Sequence, residues 1–423
     1  MAAMSIIRIA ATGCLSASLA LAQDPAAPAA PPAAVAPAVH PVAADVDRML
    51  GELAGHGIRI GDEADRASLY ECIARTVDPS ARVYAGDAFA LQARRNAGEG
   101  LHPGFTLTMS NGAPVVASVP DGYPADLRAG DRLLAIGAQP VTNLSYDTIL
   151  ATLRERETTN LTLLIQRNGL ATSTVSVALA PGRMPALELV ELFPRDIGYA
   201  RVNGWFPGAA TSLAALVRAW AAEERAGAIL DLRGAGGDDV EGVASLAGLF
   251  ASPGSLLFSF RDRDGNELSS HRAPADAAPL AIPLIVLVDA RTAGAAELFA
   301  AVASDSLLGS LVVGRATAGD PSIREGLPLP GGHVLYIATR HAVTGNGLLL
   351  DGTEGLAPNL PVSARPGRQE YEPDGAGDRR QRLEEEALDR ALRDRIRGDD
   401  DLQRAVDVVL GLKALNIRPK AGH

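Results

Sequence analysis

The chain has 423 residues, more than one hydrophobic core usually holds, so its length predicts two to four domains. Apolar residues make up 47% and charged residues 21%, a balance typical of globular proteins and not of disordered ones. The formal net charge of -11 argues against nucleic acid or an anionic membrane surface as the main partner.

Residues 1–22 have the pattern of a secretory signal peptide. Arg8 provides a positive start, an apolar stretch follows, and the tripeptide Ala-Leu-Ala at 20–22 fits the small-residue cleavage rule. Residues 23–44 are rich in Ala and Pro, a linker composition that argues against a buried N-terminal helix. A lipoprotein signal ending at Cys14 is the weaker alternative, because the apolar stretch before it is short and broken by Arg8. The sequence therefore predicts an exported, periplasmic protein without membrane attachment.

Cysteine usage and motif spacing limit the chemistry. After signal cleavage only Cys72 remains, so no internal disulfide is expected. No group of His, Cys, Asp or Glu has metal-ligand spacing, and the glycine-rich turn at 231–237 lacks the lysine and hydroxyl residue of a phosphate loop. We therefore expect no metal and no cofactor, and we interpret Asp231 and Arg233 as residues that stabilise a strand end.

Residues 45–99 read as a helical segment, with apolar residues at helical spacing in two places. The phrase Val-Asp-Pro-Ser at 77–80 interrupts this pattern. We expect a helical N-terminal segment, matched by further helices at 378–416.

Residues 100–183 contain short strands, a turn, a helix at 145–156 and further strands. This order, with the phrase P-A-x-x-x-A-G-D-R-L-L-A-I at 124–136, resembles a PDZ domain. The resemblance implies that a peptide C-terminus adds a strand to an open sheet edge, with its carboxylate held by backbone N–H groups of a glycine-containing loop. Gly104 and Phe105 fit that loop, whereas Pro103 departs from it because proline has no N–H. The alternative is a module that only packs against its neighbour.

Residues 184–365 alternate between apolar strands and helices, which predicts an α/β domain with a largely parallel sheet and flanking helices. Four phrases occur in order: I-L-D-L-R-G-A-G-G, I-V-L-V-D-A-R-T-A-G-A-A-E, V-V-G-R-A-T-A-G and G-L-A-P-N-L-P-V. Together with the PDZ-like module and the Asp-Pro-Ser phrase, they resemble the tail-specific, or C-terminal-processing, serine peptidases. The resemblance extends over about residues 46–362.

The resemblance implies a serine–lysine dyad. In this family a serine at a helix start attacks the peptide carbonyl, and a desolvated, neutral lysine removes its proton. Here the serine position is Gly294 and the lysine position is Asp320, while Arg324 replaces a glutamine four residues further on. The glycine pair that supplies oxyanion donors is kept as Gly236 and Gly237. The chain therefore looks like a catalytically degenerate member of the family.

Several residues are weaker candidates to replace the dyad. The two lysines, Lys413 and Lys420, would have to fold back from the tail. Thr292 lies two residues early and has no evident base. The remaining candidates lie at the end of the helix or stand as single histidines, which are more often structural than catalytic: Ser304, Ser306, His271, His333 and His341.

The C-terminal helices at 378–416 have one apolar face with mixed charges elsewhere, which indicates either surface packing or contact between two subunits of a homodimer. The sequence leaves three functions open. The favoured one is a non-catalytic adaptor or scaffold that binds peptide or protein C-termini in the cell envelope. The others are an active serine endopeptidase with rearranged residues and a structural envelope protein with a closed groove.

Overall fold

The computed structural model describes residues 41–57, 63–110, 113–120, 122–123, 125–141, 144, 148–149, 152–153, 160–167, 171–276, 278–305, 308–320, 323–350, 352, 354–363, 389–390, 392–393, 396 and 398–417. The predicted signal peptide, Cys14 and the linker up to residue 40 lie outside them. Within them, no helix combines the length and the apolar character needed to cross a membrane.

The described helices in chain order are α1 (Pro41–Gly55), α2 (Glu63–Arg75), α3 (Gly86–Asn96), α4 (Ala209–Ala222), α5 (Val240–Ala247), α6 (Gly294–Ser304) and α7 (Asp400–Ala414). The strands are β1 (Arg82–Ala85), β2 (Glu99–His102), β3 (Thr106–Ser110), β4 (Ala113–Ser118), β5 (Arg132–Ile136), β6 (Gln139–Pro140), β7 (Asn160–Arg167), β8 (Ala171–Ala178), β9 (Ala180–Arg183), β10 (Leu187–Phe193), β11 (Ile197–Val202), β12 (Gly204–Trp205), β13 (Gly227–Asp231), β14 (Gly236–Gly237), β15 (Leu256–Arg261), β16 (Glu267–Arg272), β17 (Leu284–Val288), β18 (Leu311–Gly314), β19 (Ile323–Pro328), β20 (His333–Thr344), β21 (Leu349–Leu350) and β22 (Leu360–Pro361).

The chain divides into two compact units, residues 1–60 and 61–423. The first contains helix α1, which begins at Pro41 and so occupies the end of the predicted linker. Proline is favoured at the first position of a helix, where its missing N–H costs nothing. The prediction of a linker is therefore wrong for residues 41–44.

A central sheet forms the core of the second unit. Its order is β10-β11-β13-β17-β18-β22. Strand β10 is antiparallel to β11, and every other neighbouring pair is parallel, as the alternation of strands and helices predicts. Strands β11, β13 and β17 are buried along their whole length, because helices cover parallel sheets on both faces.

An antiparallel sheet of order β1-β20-β15-β16 lies in the same unit, with β19 and β21 also paired to β20. Strand β1 corrects the prediction of a helical segment at residues 45–99, because it places a strand within that range. Its Val83 and Tyr84 favour a strand, and pairing with β20 gives that strand a partner. The Tyr84 ring meets that of Tyr336 edge to face, 6.2 Å between centroids.

Residues 99–183 build a β module. Strands β3-β4-β5-β7-β8 form one antiparallel sheet, and β2 pairs with β9 to bring the two ends of the module together. Residues 148–149 and 152–153 are helical, and the rest of the helix predicted at 145–156 lies outside the described residues. The core of this module is continuous with that of the parallel sheet, since Phe105 and Leu107 belong to the same buried cluster as Leu189 and Phe193.

Helix α7 packs on the parallel sheet. It buries Leu402, Ala405, Val406 and Val409, which lie on the face turned toward β13, β17 and β18. The first part of the segment predicted at 378–416 lies mostly outside the described residues. In the described part of this segment, the apolar face therefore packs against the parallel sheet of the same chain.

Candidate functional site

Three loops meet at the carboxyl edge of the parallel sheet. The pair Gly236–Gly237 follows β13, Gly294 follows β17, and Asp320 follows β18. The backbone N–H of Gly294 donates to the carbonyl oxygen of Asp320 at 2.7 Å. The two positions that the sequence predicts to correspond to the dyad are thus in direct backbone contact, at the edge where parallel α/β sheets place their sites.

Position 294 has no space for a side chain. Gly294 adopts a left-handed conformation, with φ of 58°, at the start of α6. A Cβ on this residue would lie 2.3 Å from the carbonyl oxygen of Gly237, far inside contact distance. A nucleophile with a side chain can therefore stand here only after the backbone has moved.

The glycine pair presents a carbonyl to this position. Gly237 has a φ of 113°, and its β14 strand pairs in parallel with Gly204–Trp205. A hypothetical Cβ of Gly294 would lie 2.3 Å from the Gly237 oxygen but 3.6 Å from its nitrogen. The carbonyl oxygen of Gly237, and not its N–H, is therefore the group that lies closest to the side-chain position of residue 294.

Glu297 fixes the turn that carries Asp320. This fully buried carboxylate accepts hydrogen bonds from the Thr317 hydroxyl, from the Gly319 N–H at 2.9 Å and from the Asp320 N–H at 2.8 Å. Burial raises its pKa, although these donors favour the charged form and oppose the shift. Glu297 therefore holds the turn in place by accepting hydrogen bonds from three of its residues, and it does not face an open cleft.

Asp320, the position that the sequence predicts for the dyad base, forms an ion pair with Arg324. The Arg324 guanidinium, 6% exposed, donates to the Asp320 carboxylate at 2.8 Å through both Nε and Nη2. It also donates to the Ser80 carbonyl at 3.0 Å and to the Ser80 hydroxyl, and it lies over the Tyr336 ring at 5.7 Å. Arginine stays protonated in proteins, so this group cannot act as a base.

The Asp-Pro-Ser phrase completes this junction. Asp78 accepts hydrogen bonds from the Ser80 N–H and from the Ala338 N–H, both at 2.9 Å, and its carboxylate is 3.6 Å from Arg324. Burial opposes its ionisation, but the hydrogen bonds from Ser80 and Ala338 and the Arg324 charge together lower its pKa. The sequence identified the phrase, but not its contact with Arg324.

The alternative nucleophiles have structural roles. The buried Thr292 hydroxyl donates to the Leu232 carbonyl at 2.9 Å and accepts from the Asp289 N–H at 3.1 Å. Ser304 donates to the Ala301 carbonyl at the end of α6, and Ser306 lies outside the described residues.

Of the candidate bases, the described residues His271, His333, His341 and Lys413 lie away from the predicted dyad positions. His271 stacks on Phe258 with centroids 4.6 Å apart, and His333 and His341 lie on β20 of the antiparallel sheet. Lys413 Nζ is 3.5 Å from the carboxylate of Asp196, directly before β11 and so at the opposite edge of the parallel sheet. Lys420 lies outside the described residues.

Asp231 and Arg233 form a buried charge cluster at the end of β13, in agreement with a structural role. The Asp231 carboxylate accepts from Tyr199 at 2.8 Å, Arg201 at 2.9 Å and Arg233 at 2.6 Å. Burial opposes its ionisation, but the two guanidinium charges hold its pKa well below the usual range. Arg233 also donates to both oxygens of Asp399 at 2.7 and 2.9 Å, and Asp399 caps α7. The cluster therefore joins the last helix to the sheet.

The predicted carboxylate loop lies at the start of β3 in the β module. Gly104 has a φ of 75°, as a tight loop requires, and Phe105 is buried in the module core. Strand β3 is the end strand of its sheet, paired with β4 alone among the described strands. Thr108 of β3 donates to Glu191 of β10 at 2.7 Å from the face opposite buried Leu107, so β10 contacts the outer face of β3.

Within the described residues, no group of three or more His, Cys, Asp or Glu side chains is arranged to hold a metal ion.

Comparison with known proteins identifies the peptidase-like part of the chain. Residues 196–362 match the family described as "Peptidase family S41". The chain is 22% identical over 222 residues to the carboxy-terminal processing protease CtpA of Bacillus subtilis, covering 51% of this chain and 47% of that protein. It is 24% identical over 266 residues to the carboxy-terminal-processing protease of Bartonella bacilliformis, covering 61% and 60%. The chain thus spans about half to three fifths of the length of these curated relatives.

Solved structures with similar folds include a photosystem II D1 C-terminal processing protease, at 20% identity and a TM-score of 0.44, covering 71% of this chain and 82% of that one. Mature CPAF complexed with lactacystin aligns at 14% identity and a TM-score of 0.37, covering 62% and 78%. The sequence matches show that residues 196–362 form a peptidase family S41 domain and that the chain is similar to carboxy-terminal-processing proteases.

Proposed function

We propose that this chain is a non-catalytic member of the family that binds the C-termini of peptides or proteins as an adaptor in the cell envelope. The observation that carries the proposal is the geometry at Gly294, where the Gly237 oxygen fills the space that a nucleophilic side chain needs. The Asp320–Arg324 ion pair at the position of the base supports it.

The β module supports binding as the remaining activity. Strand β3 has an unpaired edge among the described strands, and Gly104 gives the adjacent loop the conformation that close backbone approach requires. An extended peptide would pair with that edge, and its terminal carboxylate would meet the loop. Export through the predicted signal peptide is part of the same proposal.

A homodimer through the terminal helices remains a proposal as well. Because α7 buries its apolar face within the chain, such a contact would use the exposed Leu415 and Ile417 beyond it.

The proposal is tested with purified protein in two assays. The protein should neither cleave casein-like substrates nor react with a fluorophosphonate probe, under conditions where an active serine peptidase does both. A labelled decapeptide ending in valine should bind more tightly as the free acid than as the C-terminal amide, by about 1.5–3 kcal/mol for a charge-assisted contact. Probe labelling that disappears in Thr292→Ala would show an active peptidase instead, and equal affinity for acid and amide would exclude the carboxylate site.

A further inference from the structure

Two residues of the carboxylate loop, Pro103 and Gly104, have no free backbone donor. Pro103 has no N–H, so it offers nothing to an anionic ligand. The N–H of Gly104 is already engaged, since it donates to Nδ1 of His102 at 3.2 Å. The donor that the proposed site most needs is therefore occupied by a side chain of the same loop.

The surroundings hold this contact in place. The Tyr123 hydroxyl donates to the Pro103 carbonyl, and its ring lies so close to Gly104 that a Cβ there would be 3.1 Å from Cε2. Burial raises the pKa of Tyr123 to about 12, so the hydroxyl remains a donor at neutral pH.

The His102 imidazole packs closely against strand β9. It lies over Gly182 of β9, where a Cβ would be 2.7 Å from Nε2 of His102, and β2 and β9 pair at this point. Only glycine leaves room for the ring here. The ring is thus positioned by packing from β9 as well as by its hydrogen bond to Gly104.

We infer that His102 is an internal competitor for the ligand carboxylate, a latch that a peptide must displace to reach the Gly104 N–H. The inference rests on the proposed function, because it concerns the same loop. The latch weakens binding of free C-termini and leaves the binding of C-terminal amides unchanged, since an amide does not need the anion site. It therefore selects for ligands whose carboxylate competes effectively with the Nδ1 acceptor of His102.

Two substitutions at this position separate the latch from simple packing. His102→Phe keeps a planar ring over Gly182 but removes the acceptor. His102→Asn keeps an acceptor, because an Asn side chain readily takes the N–H two residues further on, as in an Asx-turn. The probe is a fluorescein-labelled decapeptide ending in valine, as the free acid and as the amide, measured by anisotropy against the full chain.

The expected result is that His102→Phe binds the free acid about three- to tenfold more tightly than the wild type, the range expected for releasing one hydrogen bond. His102→Asn should bind like the wild type, and the amide should bind all three equally. Should His102→Phe fold poorly by circular dichroism, His102→Leu takes its place in the same comparison.

The outcomes distinguish the two proposals. If the wild type prefers the acid but His102→Phe gains no affinity, the latch is wrong and the peptide site stands. If His102→Asn gains as much as His102→Phe, the gain does not depend on losing the acceptor, and the latch is again wrong. If neither the wild type nor His102→Phe distinguishes acid from amide, both the latch and the carboxylate site are excluded.

Discussion

The carbonyl oxygen of Gly237 faces the α-carbon of Gly294 so closely that a Cβ on residue 294 would lie 2.3 Å from it. This contact joins the loop after β13 to the start of α6, the two parts that in an active relative would carry the oxyanion donors and the nucleophile. The backbone of the Gly236–Gly237 loop therefore leaves no space for a side chain at position 294, which the sequence predicts to correspond to the serine of the dyad.

Gly294→Ala should therefore destabilise the protein. The residue is left-handed, which costs a non-glycine residue about 1–3 kcal/mol, and the overlap with the Gly237 oxygen adds to this. Urea unfolding followed by circular dichroism measures the loss. Gly236→Ala is the matched control, because no atom lies within 4 Å of a Cβ there, and its unfolding free energy should change much less. If the two variants lose the same unfolding free energy, the loop after β13 moves to accommodate the new Cβ at little cost.

Restoring the dyad residues should not restore catalysis. Gly294→Ser meets the same carbonyl oxygen, and in Gly294→Ser with Asp320→Lys the new lysine stands beside the fixed Arg324 guanidinium, which repels it from the position of Asp320. A displacement near 1 Å can cost about a hundredfold in rate. We expect no fluorophosphonate labelling and no casein cleavage from either single variant, and at most faint activity from the double variant. Robust cleavage by Gly294→Ser alone would reveal a base that the geometry does not assign.

The sequence predicts that Gly237, Gly294 and Asp320 each come after an apolar strand of the α/β domain. The structure brings the three residues close together at one sheet edge. They lie there because parallel strands share a carboxyl edge, so chain order alone determines which loops meet. The sequence does not predict strand β1, because its four residues come directly after a segment with helical spacing. Their strand conformation depends on pairing with β20, which is distant in sequence.

The sequence cannot predict which backbone group of Gly237, the carbonyl or the N–H, faces Gly294. A glycine pair is compatible with an N–H or a carbonyl turned toward the neighbouring loop, and which one is chosen depends on the pairing of Gly237 with Trp205. Likewise, Arg324 could be seen to lie four residues after Asp320, but its contact with Ser80 joins segments 244 residues apart. Such contacts depend on tertiary packing and leave no local pattern.

Arg324→Gln, which introduces the residue usual in the family at this position, should destabilise the chain. It removes the guanidinium from Asp320, Ser80 and Asp78, and the buried Asp78 then keeps its charge without that neighbour. Losing hydrogen bonds to a buried charged group should cost about 2–4 kcal/mol, measured by urea unfolding at pH 7.

The control for this variant is Arg340→Ala. Arg340 pairs with Glu325 at 2.6 Å on the next strand, but both side chains are well exposed, so the loss should stay below about 1 kcal/mol. If the two variants lose the same amount, the junction at Arg324 is no more important than a surface ion pair.

Asp131 gives the β module a stability that depends on pH. Its buried carboxylate accepts two hydrogen bonds from Arg167, at 2.7 and 2.8 Å, and one from the Arg128 N–H at 2.8 Å. The hydrogen bonds from Arg167 lower its pKa below the usual 3.8, against the opposing effect of burial. A depressed pKa means that the unfolded chain binds the proton first as pH falls. The stabilisation is therefore complete above about pH 4–5 and is lost as the pH falls through 3.8 toward the lower folded value.

Asp131→Asn removes this contribution, so the variant should be about 1.5–3 kcal/mol less stable than the wild type at pH 7. The gap between the two should narrow as the pH falls below 3.8, because the wild-type carboxyl becomes protonated as well. Urea unfolding of both proteins from pH 7 to pH 2.5 measures the gap, and the other carboxylates cancel in the difference. Asp126→Asn serves as control, since Asp126 contacts the same Arg167 from an exposed position and should contribute much less. A gap that stays constant down to pH 2.5 would mean that Asp131 stabilises the module by its shape and not by its charge.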